Sequence, residues 1–156
     1  MAHVHELIDF TVSVFVVYKD KVLVRKHEKY HTWLAVGGHI ELNEEANAAA
    51  LREVKEEVGL DVKLIPPPHW HDFPKIKRSE TYTELIPPFL LNIHNIDDVH
   101  QHHDMFFVAV SESDEVVPEN KDDEWLWLTK EELQMHPEIS GRIKNYALTA
   151  LNAVNS

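Results

Sequence analysis

Three glutamates close together, Glu53, Glu56 and Glu57, constrain this chain more than any other feature. Separations of three and four residues place their side chains on one face of a helix. Like charges at that spacing cost roughly 0.2–0.5 kcal/mol per pair on an isolated helix. Arg52 offsets part of the cost through Glu56, four residues on, and a divalent cation would offset more. The flanking sequence supports the helix. Asn43 is a suitable N-cap, Glu44 and Glu45 suit the positive end of the helix dipole, and Gly59 is a natural stop just after Val58. Ala50, Leu51, Val54 and Val58 follow helical spacing and predict the core-facing stripe. Upstream, Gly37-Gly38 marks a sharp turn or a close backbone approach. A bare Glu-x-x-Glu-Glu is more often a solvated helix face. The spacing of the residues around this one sets it apart.

The chemistry of such a face is specific. Three oxygen donors, with no sulfur and little nitrogen, suit a hard ion, Mg²⁺ or Mn²⁺. Mg²⁺ keeps several waters and takes substrate phosphate oxygens, so it would neutralise a diphosphate and polarise the attacked phosphorus. A spare carboxylate can take a proton from the attacking water.

The rest of the chain predicts a layered α+β domain. Phe10 to Tyr18, rich in Val, Phe and Thr, reads as a buried strand, and Val22 to Val24 as its hairpin partner. Trp33 to Val36 leads into the glycines. Leu60 to Ile65 reads as a strand stopped by Pro66-Pro67-Pro68, and Phe89 to Ile93 as another. Between these two, His69 to Pro88 reads as loops. Met105 to Val110 is apolar without alternation, as in a central strand covered on both faces. An acidic loop from Ser111 to Asp123 then precedes a short strand, Glu124 to Leu128. Thr129 with Glu132 is a capping-box pattern. Ile139, Ile143, Tyr146, Ala147, Ala150 and Leu151 mark a C-terminal amphipathic helix.

The segment from Gly38 to Leu60 resembles the Nudix box, G-x5-E-x7-R-E-U-x-E-E-x-G-U, with U a bulky aliphatic residue. Gly38, Glu44, Arg52, Glu53, Val54, Glu56, Glu57, Gly59 and Leu60 fill every specified position. At average residue usage, a chance match is on the order of one in 10⁹ per start position. The opening hairpin, the Trp33–Gly38 lead-in and the stretch EWLWLTKEEL are similar to their Nudix counterparts. The resemblance implies an α/β/α sandwich with a mixed sheet, a single domain over residues 1–156, and Mg²⁺-dependent hydrolysis of a pyrophosphate bond in a nucleoside diphosphate linked to another moiety. It also implies Glu53, Glu56 and Glu57 as metal ligands, with a carbonyl from Gly37. Arg52 would orient the glutamates, and Gly38, Glu44 and Gly59 would shape the box. The base remains open among Glu53, Glu57 and an acid from a late loop, for which Glu119 is the first choice over Asp122, Asp123 and Glu124. Val36 stands where the family often has proline, which should loosen the loop without removing a ligand.

Composition narrows the partners. With 27 acidic and 15 basic residues the formal charge is −12, which disfavours a nucleic-acid polymer and suits a small, metal-complexed anionic substrate. The densest basic group, Lys75, Lys77 and Arg78, is small. Cysteine is absent, which excludes disulfides and thiolate metal sites and fits the cytoplasm. It also counts against a Nudix-related isoprenoid diphosphate isomerase, for which the resemblance implies a catalytic cysteine. No stretch is long and apolar enough to span a membrane, and the first ten residues lack signal-peptide character. A homodimer is compatible with all of this.

The chain also carries 12 histidines, with H-x-H at His69/His71 and His100/His102. His102 and Asp104 are candidates for the substrate pocket, and His100, His102 and Asp104 alternatively for zinc. Arg25, Lys26 and Arg78 are candidate phosphate contacts. Trp33, Trp70, Phe73 and Tyr82 are candidate stacking surfaces for a base, whereas Trp125 and Trp127 read as core. The competing reading is a non-catalytic nucleotide-binding or sensing module on the same scaffold. The intact glutamates argue against it.

Overall fold

In the computed structural model, which describes residues 6–75 and 79–155, one mixed sheet lies between helices. Its strands are β1 (Ile8–Tyr18), β2 (Lys21–His27), β3 (Thr32–Leu34), β4 (Val36–His39), β5 (Val62–Ile65), β6 (Leu90–Asn95), β7 (Gln101–Ser111) and β8 (Glu124–Thr129). The main path runs β3-β2-β1-β7-β5, with β4 on β1, β6 on β7 and β8 on β2. Among the described residues, only β1 and β7 pair in parallel; every other pairing is antiparallel. β7 is buried on both faces along Phe106–Ala109, as its unbroken apolar run predicts.

Alternation along β1 divides the core in two. Val12, Val14 and Val16 face helix α1 (Ala46–Val58), packing with Ala49, Ala50, Val54 and Val58. Phe15 and Val17 face helices α2 (Lys130–Met135) and α3 (Gly141–Asn155), packing with Leu133, Ala147, Ala150 and Leu151. Trp125 and Trp127 pack against the first cluster, as expected of core aromatics. The capping box at the start of α2 is present: Thr129 Oγ1 accepts the Glu132 N–H, and Glu132 accepts the Thr129 N–H.

Two local readings of α1 are corrected. The N-cap is Glu45, not Asn43. The Glu45 carboxylate accepts the N–H groups of Asn47 and Ala48, while Asn43 takes a left-handed conformation (φ 65°) in the preceding turn. Ala49 occupies the buried stripe in place of Leu51, which is 41% exposed. Ala49 and Ala50 pack in one cluster with Val12, Val14 and Val16 of β1. Gly59 caps the C-terminus, its N–H bonding the Lys55 carbonyl.

Candidate active site

The site begins where β4 runs between β1 and α1. At Gly37, a Cβ would lie 2.0 Å from the Val12 carbonyl oxygen. At Gly38, a Cβ would lie 2.5 Å from Glu53 Oε1. The two glycines therefore let one strand press its backbone against β1 and receive a helix carboxylate directly. Glu57 adds a second link, Oε2 accepting the Gly37 N–H at 3.1 Å.

Arg52 organises the outer part of this face. Its Nε and Nη2 donate to the two oxygens of Glu44 at 2.7 and 2.9 Å, and Nη2 also donates to the His39 carbonyl at 3.0 Å. Nη1 is shared by Glu53 Oε1 at 2.9 Å and Glu56 Oε2 at 3.0 Å. The paired guanidinium, helped by the Glu41 N–H, holds the Glu44 carboxyl down to about 2. The same contacts, Glu44 foremost, keep Arg52 protonated more firmly than usual. Burial pushes the carboxyls of Glu53 and Glu57 above the usual range, against the pull of Arg52 and Arg25 respectively. Glu56 stays 54% exposed.

Arg25 on β2 organises the inner part. Nη1 bonds Glu57 Oε1, and Nε donates to Asp123 Oδ2 at 2.6 Å. Asp123 is buried, and its Oδ1 accepts the Glu28 N–H at 2.9 Å. Among the late-loop acids, Asp123 is thus the one connected to the glutamate face, through Arg25. Glu119 reaches α1 by its backbone instead: its N–H bonds the Glu57 carbonyl at 3.0 Å, and its side chain is exposed. The Arg25–Asp123 link had no signal in local spacing. It follows from the β2–β8 register, which places Arg25 opposite Trp125.

The remaining candidates fall elsewhere. Trp33 is 5% exposed and buried in the second core cluster, its indole N–H donating to Glu138 at 2.9 Å, so its ring faces are unavailable to a base. Lys26 bonds the same Glu138 carboxylate. Trp70 lies under Lys75, whereas Phe73 and Tyr82 are exposed. Lys77 and Arg78 lie outside the described residues. On the sheet face opposite α1, Asp104 is buried and accepts the hydroxyls of Thr11 at 2.8 Å and Ser13 at 3.0 Å. His102 lies near His39, His94 and His100. Burial, followed by the charge of these neighbours, holds its pKa below the usual imidazole value.

The glutamate face fits a hard divalent ion in donor type: Glu53, Glu56 and Glu57 offer oxygen only. Glu53 Oε2 accepts no hydrogen bond among the described residues, whereas both oxygens of Glu57 are engaged. Arg52 and Arg25 compensate the clustered charge.

A family model described as the NUDIX domain matches residues 8–148. Among solved structures, the chain is similar to a NUDIX-family hydrolase from Clostridium perfringens, with 36% identity, a TM-score of 0.80, and coverage of 94% of this chain and 97% of that one. Two more distant likenesses show the fold. The E. coli dihydroneopterin triphosphate pyrophosphohydrolase has 17% identity, TM-score 0.62 and coverage of 97% and 100%. A MutT protein from Methanosarcina mazei Go1 has 14% identity, TM-score 0.66 and coverage of 99% and 99%. No curated protein matches the sequence. The family match and the fold define a pyrophosphohydrolase. The chain belongs to the Nudix family.

Proposed function

We propose that this enzyme hydrolyses a pyrophosphate bond in a nucleoside diphosphate linked to another moiety, by Mg²⁺-dependent attack of water on phosphorus, with Mn²⁺ able to substitute. One observation carries the reading: Glu53 lies directly against Gly38, beside the Gly37 N–H that holds Glu57, so the loop and the helix carboxylates form one site.

Glu53, Glu56 and Glu57 would hold the ion, with the Gly37 carbonyl beside them. When bound, it supplies positive charge to the diphosphate and makes a coordinated water more acidic. Glu53 is the proton acceptor of choice. Burial raises its pKa towards a useful range, and its Oε2 is free of hydrogen bonds among the described residues. Arg52 sets the positions of Glu53 and Glu56, and Arg25 holds Glu57. Glu119, exposed beside the end of α1, is the alternative acceptor from the late loop. For substrate contacts the half-buried His102 is the better candidate than Asp104, whose carboxylate already binds two hydroxyls.

A panel of nucleoside diphosphate derivatives, assayed for product with and without Mg²⁺ or Mn²⁺, tests the reading. Metal-dependent turnover that collapses in Glu56→Gln while the circular-dichroism spectrum persists is the expected result. Silence across the panel with both metals, alongside measurable nucleotide binding, would replace it with the non-catalytic sensing module.

A further inference from the structure

The second constellation of metal-ligating side chains lies across the sheet from the glutamates. Alternation fixes its composition. In the parallel β1–β7 ladder Asp9 sits opposite His102, and Thr11 opposite Asp104. His102 lies on β7 and His100 immediately before its first residue, two positions away on the same side. His39 on β4 sits opposite Thr11, two residues along β1 from Asp9, and so joins the same face. Three segments distant in sequence therefore deliver one carboxylate and three imidazoles to one patch.

The atoms converge. One ligand atom each from Asp9, His100 and His102 lies within 4.8 Å of the other two, and no other such group of three occurs among the described residues. Asp9 Oδ2 is 2.7 Å from His100 Nε2 and 3.2 Å from His39 Nε2. The His39 and His100 rings each sit edge-on to the ring of His102, at 5.0 and 5.5 Å between centroids.

A second observation points to a ligand. His100 Nε2 is shielded from solvent, yet it makes no hydrogen bond among the described residues. Its near neighbour is the Asp9 oxygen, at ion-pair distance but outside hydrogen-bond geometry. Asp9 is 40% exposed, which leaves the point open on one side. Asp104, the carboxylate nearest in sequence to the H-x-H pair, does not join the converging group; its Oδ1 accepts from Thr11 and Ser13 instead.

We propose that Asp9, His100 and His102 bind a transition-metal cation of the Zn²⁺ type, with His39 poised as the fourth ligand. Imidazole with one carboxylate selects Zn²⁺ over Mg²⁺, so this site and the all-oxygen glutamate face sort two different ions on opposite faces of the same strand, β4. Neither the fit of Mg²⁺ to the glutamates nor the identity of the substrate enters the argument.

Titration of the metal-stripped, full-length chain with Zn²⁺ in excess Mg²⁺ tests it, read by calorimetry and, with Co²⁺ as probe, by visible absorption. One Zn²⁺ per chain and a rise in Tm with Zn²⁺ are expected, because an ion bound only by the folded state stabilises it. His100→Ala, and His100→Ala with His102→Ala, should weaken binding at least about tenfold and remove the Co²⁺ band. Glu57→Gln and the His3→Ala/His5→Ala variant should keep both. If the double variant does not fold, the single His100→Ala decides. Absence of Zn²⁺ binding in the parent chain, unchanged affinity in the His100 variants, or loss of affinity in either control would overturn the site.

Discussion

The two faces of β4 carry opposite kinds of chemistry, and they are built in opposite ways. Towards α1 lie Glu53, Glu56 and Glu57, all within five residues, held by Arg52 and Arg25. Towards α3 lie Asp9, His39 and His102, contributed by three strands and brought together by register, with His100 just before β7. The first face concentrates charge and needs cations to neutralise it. The second is a set of imidazoles around one carboxylate. A helix gathers donors by local spacing, at the cost of repulsion between them. A sheet gathers donors that are far apart in sequence, and the cost is carried by the whole fold.

The largest effect expected on the glutamate face is from Glu53→Gln. Loss of the proposed proton acceptor should reduce turnover by about 10²–10⁴-fold. Because burial disfavours its charge, the variant should be at least as stable as the parent chain at neutral pH. Steady-state kinetics beside thermal melts check this, and a stable variant with full activity would move the base elsewhere.

The two glycines sharpen the comparison. Gly37→Ala drives a Cβ into the backbone oxygen of Val12, which β1 cannot yield, so a stability loss of about 1–3 kcal/mol or more is expected in denaturant titration. Gly38→Ala meets the Glu53 carboxylate, which can swing aside. It should therefore spare most of the stability while costing at least about tenfold in turnover through displacement of Glu53. Equal stability losses in the two variants would refute the separation of a structural glycine from a site-shaping one.

Arg52→Ala removes the donors to Glu44, Glu53, Glu56 and the His39 carbonyl. Since the guanidinium is partly open to solvent, a loss of about 1–3 kcal/mol is expected by melting or denaturant titration. Turnover should fall as well.

The smallest effect concerns pH. The folded Glu44 carboxyl is held at about 2 against 4.5 for the free group. A depressed folded pKa gives stability that is present above about 4.5 and is lost as pH falls towards about 2. Glu44→Gln should flatten the acid limb of a stability–pH curve across that window and leave its slope above it unchanged.

Much of the glutamate face was legible in the chain because its logic is local. Residues three and four apart on a helix are neighbours whatever surrounds them, and the box spacing brought Glu44, Arg52, Gly38 and Gly59 with it. The readings that failed locally did so where alternatives of similar energy competed. Asn43 and Glu45 both offer a capping oxygen, and the turn chose Glu45 by setting Asn43 left-handed. Leu51 is more apolar than Ala49, but the face α1 turns to the valines of β1 carries Ala49 and not Leu51. Trp33 illustrates the same limit, since a large apolar ring reads alike whether it stacks on a ligand or fills a core.

The sequence by itself determined the helix, its acidic face, the glycine approach and the family, because each depends on spacings within about two dozen residues of chain. Tertiary structure alone decided that Arg25 joins Glu57 to Asp123. It alone gave Asp104 to two hydroxyls and gathered Asp9 and His39 around His100 and His102. Those contacts join residues 30 to 98 positions apart, which only strand pairing and register can bring within reach of one another.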